Sequence, residues 1–220
     1  MKTKENNKNT ASTYHHGDLH SCLITTATTM ISEEGIEALS LRKLALRIGV
    51  SRTAAYHHFK DKNDLLSAIA AQGFVSWQAQ AERLFTDKKS SEREKFQNFV
   101  HHYVRFATQN AAIYQLMFGN TLWKKEENNS ETAKQSSQSQ SSQNLKDVAY
   151  PSFQYQVKMI KAWQHKGMLP STEPSLRLAQ VTWATLHGIA QLVIDGIYAD
   201  ASQIDEMCQC AVNLLLASSK

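Results

Sequence analysis

Proline, glycine and cysteine are all scarce in this sequence, which has 3, 8 and 3 of them among its 220 residues. A turn-rich β protein needs more proline and glycine, so the low counts favour long helices. The cysteines (Cys22, Cys208 and Cys210) are odd in number and widely separated. They do not form a disulfide framework and fit a reducing cytoplasm. We therefore expect an all-α fold without structural disulfides.

Long apolar runs and enzyme motifs are also missing. No run approaches the roughly 18 residues of a membrane span, and the charged segment 1–10 is not followed by the hydrophobic stretch of a signal peptide. The chain has no Ser/His/Asp arrangement, no glycine-rich phosphate loop and no His/Cys/carboxylate set with metal-ligand spacing. We expect a cytoplasmic protein that is not an enzyme and uses no metal or cofactor.

The basic residues are concentrated in one short segment. Six lysines and arginines lie between Leu41 and Lys62 against one acid, so this segment carries a net charge of +5 and the other 198 residues sum to −1. Such a concentration is typical of an element that faces the phosphates of DNA. The alternative is an ordinary solvated charged surface.

The same segment has the pattern of a helix-turn-helix. Ser40 and Ser51 are typical N-caps, and Gly49 between them tolerates the positive φ of a tight turn. Ala45 is small where the two short helices must approach closely. The apolar side chains between these helices form one seam: Leu44, Ile48, Val50, Ala55 and Phe59. The polar face of the second helix is left pointing outward, and this is the side that enters a major groove in helix-turn-helix proteins.

Helical periodicity extends over most of the chain. A first helix begins near Asp18, and Asp61 caps a long fourth helix with Asp64 at the reciprocal capping-box position. The periodicity predicts about nine helices, at 18–34, 41–48, 52–58, 61–86, 91–109, 110–119, 148–166, 174–197 and 202–217.

The composition divides the chain into three parts. Residues 1–13 are expected to be a disordered basic tail, 14–60 a helix-turn-helix domain, and 61–220 a larger helical domain. Within the last part, residues 126–147 hold no apolar side chain except Ala133 and Leu145. This composition buries too little area to offset the entropy of ordering, so it predicts a flexible Ser/Gln-rich loop.

Two stretches carry specific motifs. The first runs from His15-His-Gly-Asp-Leu19 through Gly-Val-Ser-Arg-Thr-Ala-Ala-Tyr-His-His-Phe-Lys-Asp-Lys-Asn-Asp-Leu-Leu66, and the second is Trp183-Ala-Thr-Leu-His-Gly-Ile-Ala-Gln-Leu192. The first resembles the DNA-binding domain of the TetR (tetracycline-repressor-like) regulators over about 50 residues. The second resembles a Trp-x-x-x-His-Gly signature in the ligand-binding half of one TetR subgroup. The resemblance implies a homodimeric transcriptional regulator that binds double-stranded operator DNA through residues 14–60, with ligand binding and dimerisation in residues 61–220.

The resemblance also implies that seven residues contact DNA: Arg42, Arg52, Thr53, Tyr56, His57, His58 and Lys62. Arg52 can donate two hydrogen bonds to guanine O6 and N7, and Thr53 and His57 present short polar groups to base edges. Arg42 can reach a base or a phosphate, and the other three are placed for backbone phosphates beside positive helix N-termini. For each residue the alternative is a solvated surface side chain.

Apolar and aromatic side chains of the second domain lie at helical spacing on faces that can converge: Phe99, Tyr103, Phe106, Tyr114, Met117, Phe118, Tyr155, Met159, Trp163, Trp183 and His187. An apolar cavity with one or two polar groups is how small hydrophobic effectors are bound. The alternative is that these side chains fill an ordinary core. The resemblance implies a cavity among them, which takes a small hydrophobic or aromatic effector.

The last two predicted helices have apolar faces that predict an interface between two copies: Leu186, Ala190, Val193, Ile194, Ile197, Ile204, Met207, Ala211 and Leu214. The same faces could instead close the core of one chain. In a dimer, two recognition helices about 34–36 Å apart would read a pseudo-palindrome.

The rival function is a DNA-binding protein controlled by a protein partner that docks on the Ser/Gln-rich loop. A fully packed second domain would favour that rival, and an accessible cavity would favour a ligand sensor.

Overall fold

The computed structural model describes residues 19–123, 140–198 and 201–217, and all regular structure within these ranges is helical. The α-helices found there are α1 Leu19–Glu34, α2 Leu41–Ile48, α3 Arg52–His58, α4 Lys62–Thr86, α5 Glu92–Gln109, α6 Ala111–Phe118, α7 Asn120–Trp123, α8 Gln140–His165, α9 Ser175–Ile194 and α10 Ala201–Ala217. The all-α prediction is confirmed. Nine of these helices were predicted, and the single turn α7 was not. No described helix is both long and apolar enough to cross a bilayer.

Local capping sets the ends of α2 and α3. Ser40 and Ser51 each accept a hydrogen bond from the backbone N–H three residues on. Gly49 follows α2 with φ 79° and ψ 27°, a left-handed conformation that glycine adopts without steric cost. The turn therefore forms as predicted, and it fixes the direction in which α3 leaves α2.

The start of α4 differs from the prediction in one detail. Asp61 caps the helix by accepting from the backbone N–H of Asp64. The Asp64 carboxylate, however, accepts from the N–H of Lys60 rather than from that of Asp61. An aspartate is one methylene shorter than the glutamate of a usual capping box, and here its reciprocal bond is made one residue before the cap.

The first three helices share a small core with the beginning of α4. Leu23, Leu44, Ala55 and Leu65, one from each helix, are fully buried. Arg47 bonds to the carboxylates at the end of α1, at 2.6 Å and 3.3 Å. Arg47 belongs to the basic segment, but its charge is thus paired within the domain.

Helices α5, α6, α7 and α8 pack around α4, which runs from this small core into the second half of the chain. Its most extensive packing is against α8, with α5 and α6 on other sides, and α5 packs against α9 and α10. Trp163 is fully buried in this second core, and the rings of Phe85, Phe96 and Phe99 lie 5.3, 5.1 and 5.8 Å from its own. Aromatic packing therefore joins α4, α5 and α8.

The predicted loop at 126–147 is wrong over its last eight residues, because α8 begins at Gln140. Leu145 is 3% exposed and packs into the core. A single buried leucine stabilises a turn of helix that Ser, Gln and Asn residues would not form alone. The rest of that predicted loop, the predicted tail at 1–13 and the predicted cap Asp18 lie outside the described residues.

Candidate DNA-binding surface and ligand cavity

One face of α3 is free of packing. Ala55 and Phe59, at 0% and 1% exposure, fix the buried side of this helix. The opposite side presents Arg52, Thr53, Tyr56 and His57, all exposed. The structure thus leaves this polar face open to solvent, where it can lie in a groove of duplex DNA.

The other three predicted DNA contacts flank this face. Arg42 is exposed in the first turn of α2, and Lys62 is half-buried at the start of α4. His58 is exposed at the end of α3, and its ring lies 5.9 Å from that of His20 on α1. Among the described residues, no ion pair involves Arg42, Arg52 or Lys62. Their charges are available to phosphates.

The second half contains an apolar cavity of about 410 Å³. Its wall is formed by α4, α5, the α6–α7 segment, α8 and α9, and consists of Phe74, Trp77, Tyr103, Met117, Phe118, Trp123, Ala149, Tyr150, Ser152, Phe153, Gln156 and Trp183. Eight of these side chains are aromatic and none is charged. A cavity of this size and lining suits a small apolar ligand.

Four of the eleven residues predicted for the cavity line it: Tyr103, Met117, Phe118 and Trp183. The prediction is wrong for Phe99, Phe106, Tyr155, Met159 and Trp163, because these side chains pack into the protein's own core instead. The wall also includes residues that the sequence reasoning missed, above all Phe74 and Trp77 of α4 and five residues between Ala149 and Gln156 in the middle of α8. Only helix spacing was available, and it does not tell which helices will face each other.

Tyr114 and His187 are the remaining two of the eleven residues predicted for the cavity. They lie behind its wall in a chain of hydrogen bonds. Trp183 Nε1 donates to Tyr103 Oη at 2.8 Å, the two tyrosine hydroxyls are 2.9 Å apart, and Tyr114 Oη is 2.6 Å from His187 Nδ1. An indole N–H can only donate. Every group is therefore satisfied if Tyr103 donates to Tyr114 and Tyr114 donates to a neutral imidazole.

The ionisation of these groups agrees with that direction. Burial raises the pKa of both Tyr103 and Tyr114, so each phenol keeps its proton. Burial also lowers the pKa of His187, which favours the neutral ring that accepts at Nδ1. This chain of hydrogen bonds joins α5, α6 and α9 directly behind the cavity.

Two family models match this chain. The model for bacterial regulatory proteins of the tetR family matches residues 23–69. The model for the tetracyclin repressor-like C-terminal domain matches residues 96–215, more than half of the chain. The chain belongs to the tetR family. Its members are DNA-binding transcriptional regulators and not enzymes.

Curated relatives match over a short stretch. The tetracycline repressor protein class C of Escherichia coli is 46% identical over 48 residues, which is 22% of this chain and 22% of that protein. The transcriptional regulator AcrR of Shigella flexneri is 43% identical over 47 residues, 21% and 22% of the two chains. The chain thus matches about a fifth of the length of these relatives.

Solved structures match over nearly the whole chain. A protein of unknown function from Rhodococcus sp. RHA1 is 30% identical, with a TM-score of 0.74 over 94% of this chain and 97% of that one. A TetR/AcrR regulator from Thermobifida fusca is 19% identical (TM-score 0.63, 92% and 99% covered). AibR, solved with isovaleryl coenzyme A and operator DNA, is 16% identical (TM-score 0.58, 90% and 97% covered). The last two share the tetR-family fold.

The predicted dimer face of this tetR-family chain is partly wrong. Leu186 and Ala190 are fully buried and Ala211 is 5% exposed, so all three belong to the protomer's own core. The others predicted are half-buried (Val193, Ile194, Ile204 and Met207) or exposed (Ile197 and Leu214). The sequence reasoning missed two large exposed apolar side chains on one face of α9, Val181 and Leu192.

Proposed function

We propose that this tetR-family protein is a cytoplasmic, homodimeric repressor, and that a small apolar or aromatic effector releases it from its operator. The observation that carries the proposal is the cavity of about 410 Å³ inside the second half. A domain controlled only by a docking protein has no need of such a space. The cavity therefore favours a ligand sensor over control by a protein partner.

DNA binding is assigned to residues 14–60 and to the start of α4. Arg52 is placed to read a guanine, Thr53 and His57 to meet base edges, and the other residues of the surface to contact the backbone. We infer a pseudo-palindromic operator, since two copies related by a twofold axis present two α3 helices.

Dimerisation is assigned to α9 and α10. Val181 and Leu192 on α9, Ile197 just after α9 and Leu214 on α10 are large apolar side chains that are between 40% and 67% exposed in the single chain. Burying such side chains between two copies of the same helix pair would remove them from water.

We also assign the protein to the Trp-x-x-x-His-Gly subgroup, since Trp183 and His187 are the two ends of the hydrogen-bond chain.

The link between effector and operator is assigned to α4. Its first turn carries Lys62 beside the DNA-binding surface, and its middle supplies Phe74 and Trp77 to the cavity wall. A ligand that favours one tilt of this helix shifts the spacing of the two α3 helices. By linkage, the effector must weaken operator binding by the same factor as the operator weakens effector binding. The AibR structure contains both kinds of ligand, which supports this arrangement.

Selection of duplexes from a random library by the purified protein, followed by sequencing, would test DNA recognition. On the recovered site we expect Arg52→Ala to lose about 1–3 kcal/mol of binding free energy and to relax the preference at one base pair. Lys62→Ala should weaken all sequences alike and reduce the salt dependence. Arg93→Ala, which removes an exposed arginine on α5, is the matched control. Wild-type affinity of both test variants would refute the assignment.

A further inference from the structure

The cavity offers no charge to a ligand. Among the residues of its wall there is no Asp, Glu, Lys, Arg or His. An ionised group that left water for this space would lose its hydration and gain no counter-ion, which is strongly unfavourable. The chemistry of the described wall therefore excludes carboxylates and phosphates and selects neutral molecules.

Gln156 is a buried polar side chain of the wall whose hydrogen-bonding capacity is largely unused among the described residues. It lies on α8 and is only 2% exposed. Its Nε2 makes one long hydrogen bond, 3.5 Å to the carbonyl oxygen of Ala179, and among the described residues its Oε1 accepts none. This orientation is the favourable one, because a flipped amide would place two oxygens against each other. Oε1 is therefore an acceptor in the wall that no described residue uses.

The other deeply buried polar groups of the wall are occupied or covered. Trp183 Nε1 donates to Tyr103, whose hydroxyl bonds to Tyr114. Ser152 Oγ lies 2.8 Å from the Val148 carbonyl oxygen and 2.9 Å from Gln78 Oε1. Trp77 Nε1 has no partner among the described residues, but neighbouring atoms bury it completely, so it does not open into the cavity. A buried acceptor without a donor costs free energy until a ligand supplies the donor.

We propose that the effector is an uncharged aromatic molecule with a hydroxyl or N–H group that donates to Gln156 Oε1. This inference rests on the proposed function, because it names the ligand class of the same cavity. A cavity of about 150 Å³ holds benzene, so one of about 410 Å³ has room for roughly two to three rings. The flat faces of Phe118, Phe153 and Trp183 suit stacked or edge-on aromatic contacts.

Three naphthalene derivatives test the proposal by isothermal titration calorimetry on the full chain. 2-Naphthol is neutral and donates, 2-methoxynaphthalene is neutral and only accepts, and 2-naphthoate is ionised at pH 7.5. We expect 2-naphthol to bind about threefold to tenfold more tightly than the ether, as one neutral hydrogen bond allows. The carboxylate should bind at least about a hundredfold more weakly than 2-naphthol.

Two variants locate the effect. Gln156→Leu, which keeps the shape of the side chain but removes the acceptor, should bind both neutral compounds equally. Gln154→Leu, at an exposed position of the same helix, should retain the preference for 2-naphthol. Circular dichroism melts would verify folding, and the comparison of the three compounds in the wild-type protein needs no variant.

Each outcome decides a different point. Equal affinity of the wild type for 2-naphthol and the ether would overturn the role of Gln156. Binding of 2-naphthoate as tight as that of 2-naphthol would overturn the neutral-ligand class while leaving the cavity as a ligand site. Failure of all three compounds to bind would overturn both this inference and the ligand part of the proposed function, and operator affinity would still report separately on DNA binding.

Discussion

Tyr114→Phe would remove a single oxygen that serves two neighbours. The Tyr103 hydroxyl lies 2.9 Å from it and His187 Nδ1 lies 2.6 Å from it. Tyr103 is only 2% exposed, so water cannot replace the lost partner. Two neutral hydrogen bonds contribute about 0.5–1.5 kcal/mol each, and a buried hydroxyl left without an acceptor costs about 1–3 kcal/mol. We therefore expect the free energy of unfolding to fall by about 2–6 kcal/mol.

Urea unfolding followed by circular dichroism measures this loss. Both proteins must be at one concentration, because dimerisation would make the stability concentration-dependent. The m-value should not change if the variant alters the native contacts alone. Tyr150→Phe is the matched control: Tyr150 is 62% exposed and makes no hydrogen bond to any described residue, so its loss should stay within about 0.5 kcal/mol.

The reasoning would be refuted if Tyr114→Phe were no more destabilising than Tyr150→Phe.

A double-mutant cycle tests whether the hydrogen-bond chain of Trp183, Tyr103, Tyr114 and His187 acts as a unit. Tyr103→Phe removes the acceptor of the Trp183 N–H as well as the partner of Tyr114. Combined with Tyr114→Phe it should cost at least about 0.5 kcal/mol less than the sum of the single losses, because the two variants remove one shared bond.

Three further predictions concern backbone, packing and titration. Gly49→Ala meets no atom within 4 Å but must keep φ near 79°, so it should lower stability by about 1–2 kcal/mol in a thermal melt, with Gly49→Asn less harmful. Gly73→Ala would place its Cβ 2.7 Å from Met117 Sδ and should cost about 1–3 kcal/mol, whereas Gly73→Ala with Met117→Ala should lose less than the two changes summed. Because burial lowers the pKa of His187 in the folded state, the unfolded state takes up the proton first as the pH falls below about 6.5, and stability falls with it. His102 acts in the same direction, so His187→Asn should flatten this decline without abolishing it, as urea titrations at several pH values would reveal.

The sequence predicted α2, α3 and α4 to within one residue at each end. Ser40, Ser51 and Asp61 bond to backbone groups only three residues away, and Gly49 needs no distant partner for its left-handed turn. Such signals are local and can be read without knowing the tertiary structure. The outward face of α3 follows from the same information, because its apolar residues define the opposite side.

The cavity wall could not be predicted in this way. Phe74 and Trp77 come from α4, while Ser152 and Gln156 come from α8, more than seventy residues later in the chain. Their meeting depends on how two long helices are aligned, and helical spacing is the same for every alignment. The sequence analysis began this helix at residue 148, whereas α8 begins at Gln140. The earlier turns depend on the burial of Leu145 against other helices, which the local sequence does not reveal.

The prediction of the dimer interface was partly wrong for a different reason. Helix α9 is apolar on more than one side: Leu186 and Ala190 lie in the core, and Val181 and Leu192 lie exposed. Periodicity finds such sides but does not say which one faces the protein's own interior. A choice between them needs the position of α5, against which α9 packs.

The inner part of the cavity wall is made of side chains that also hold the protein together. Trp77, Tyr103 and Met117 are at most 6% exposed, so truncating any of them would leave a void and cost several kcal/mol, about 2–5 in comparable cores. Ala149 and Tyr150, at the rim on α8, are half-buried and exposed. A lineage of such regulators that drifts toward a new inducer can therefore vary the rim freely, while its innermost aromatic residues are retained for folding whatever molecule is sensed.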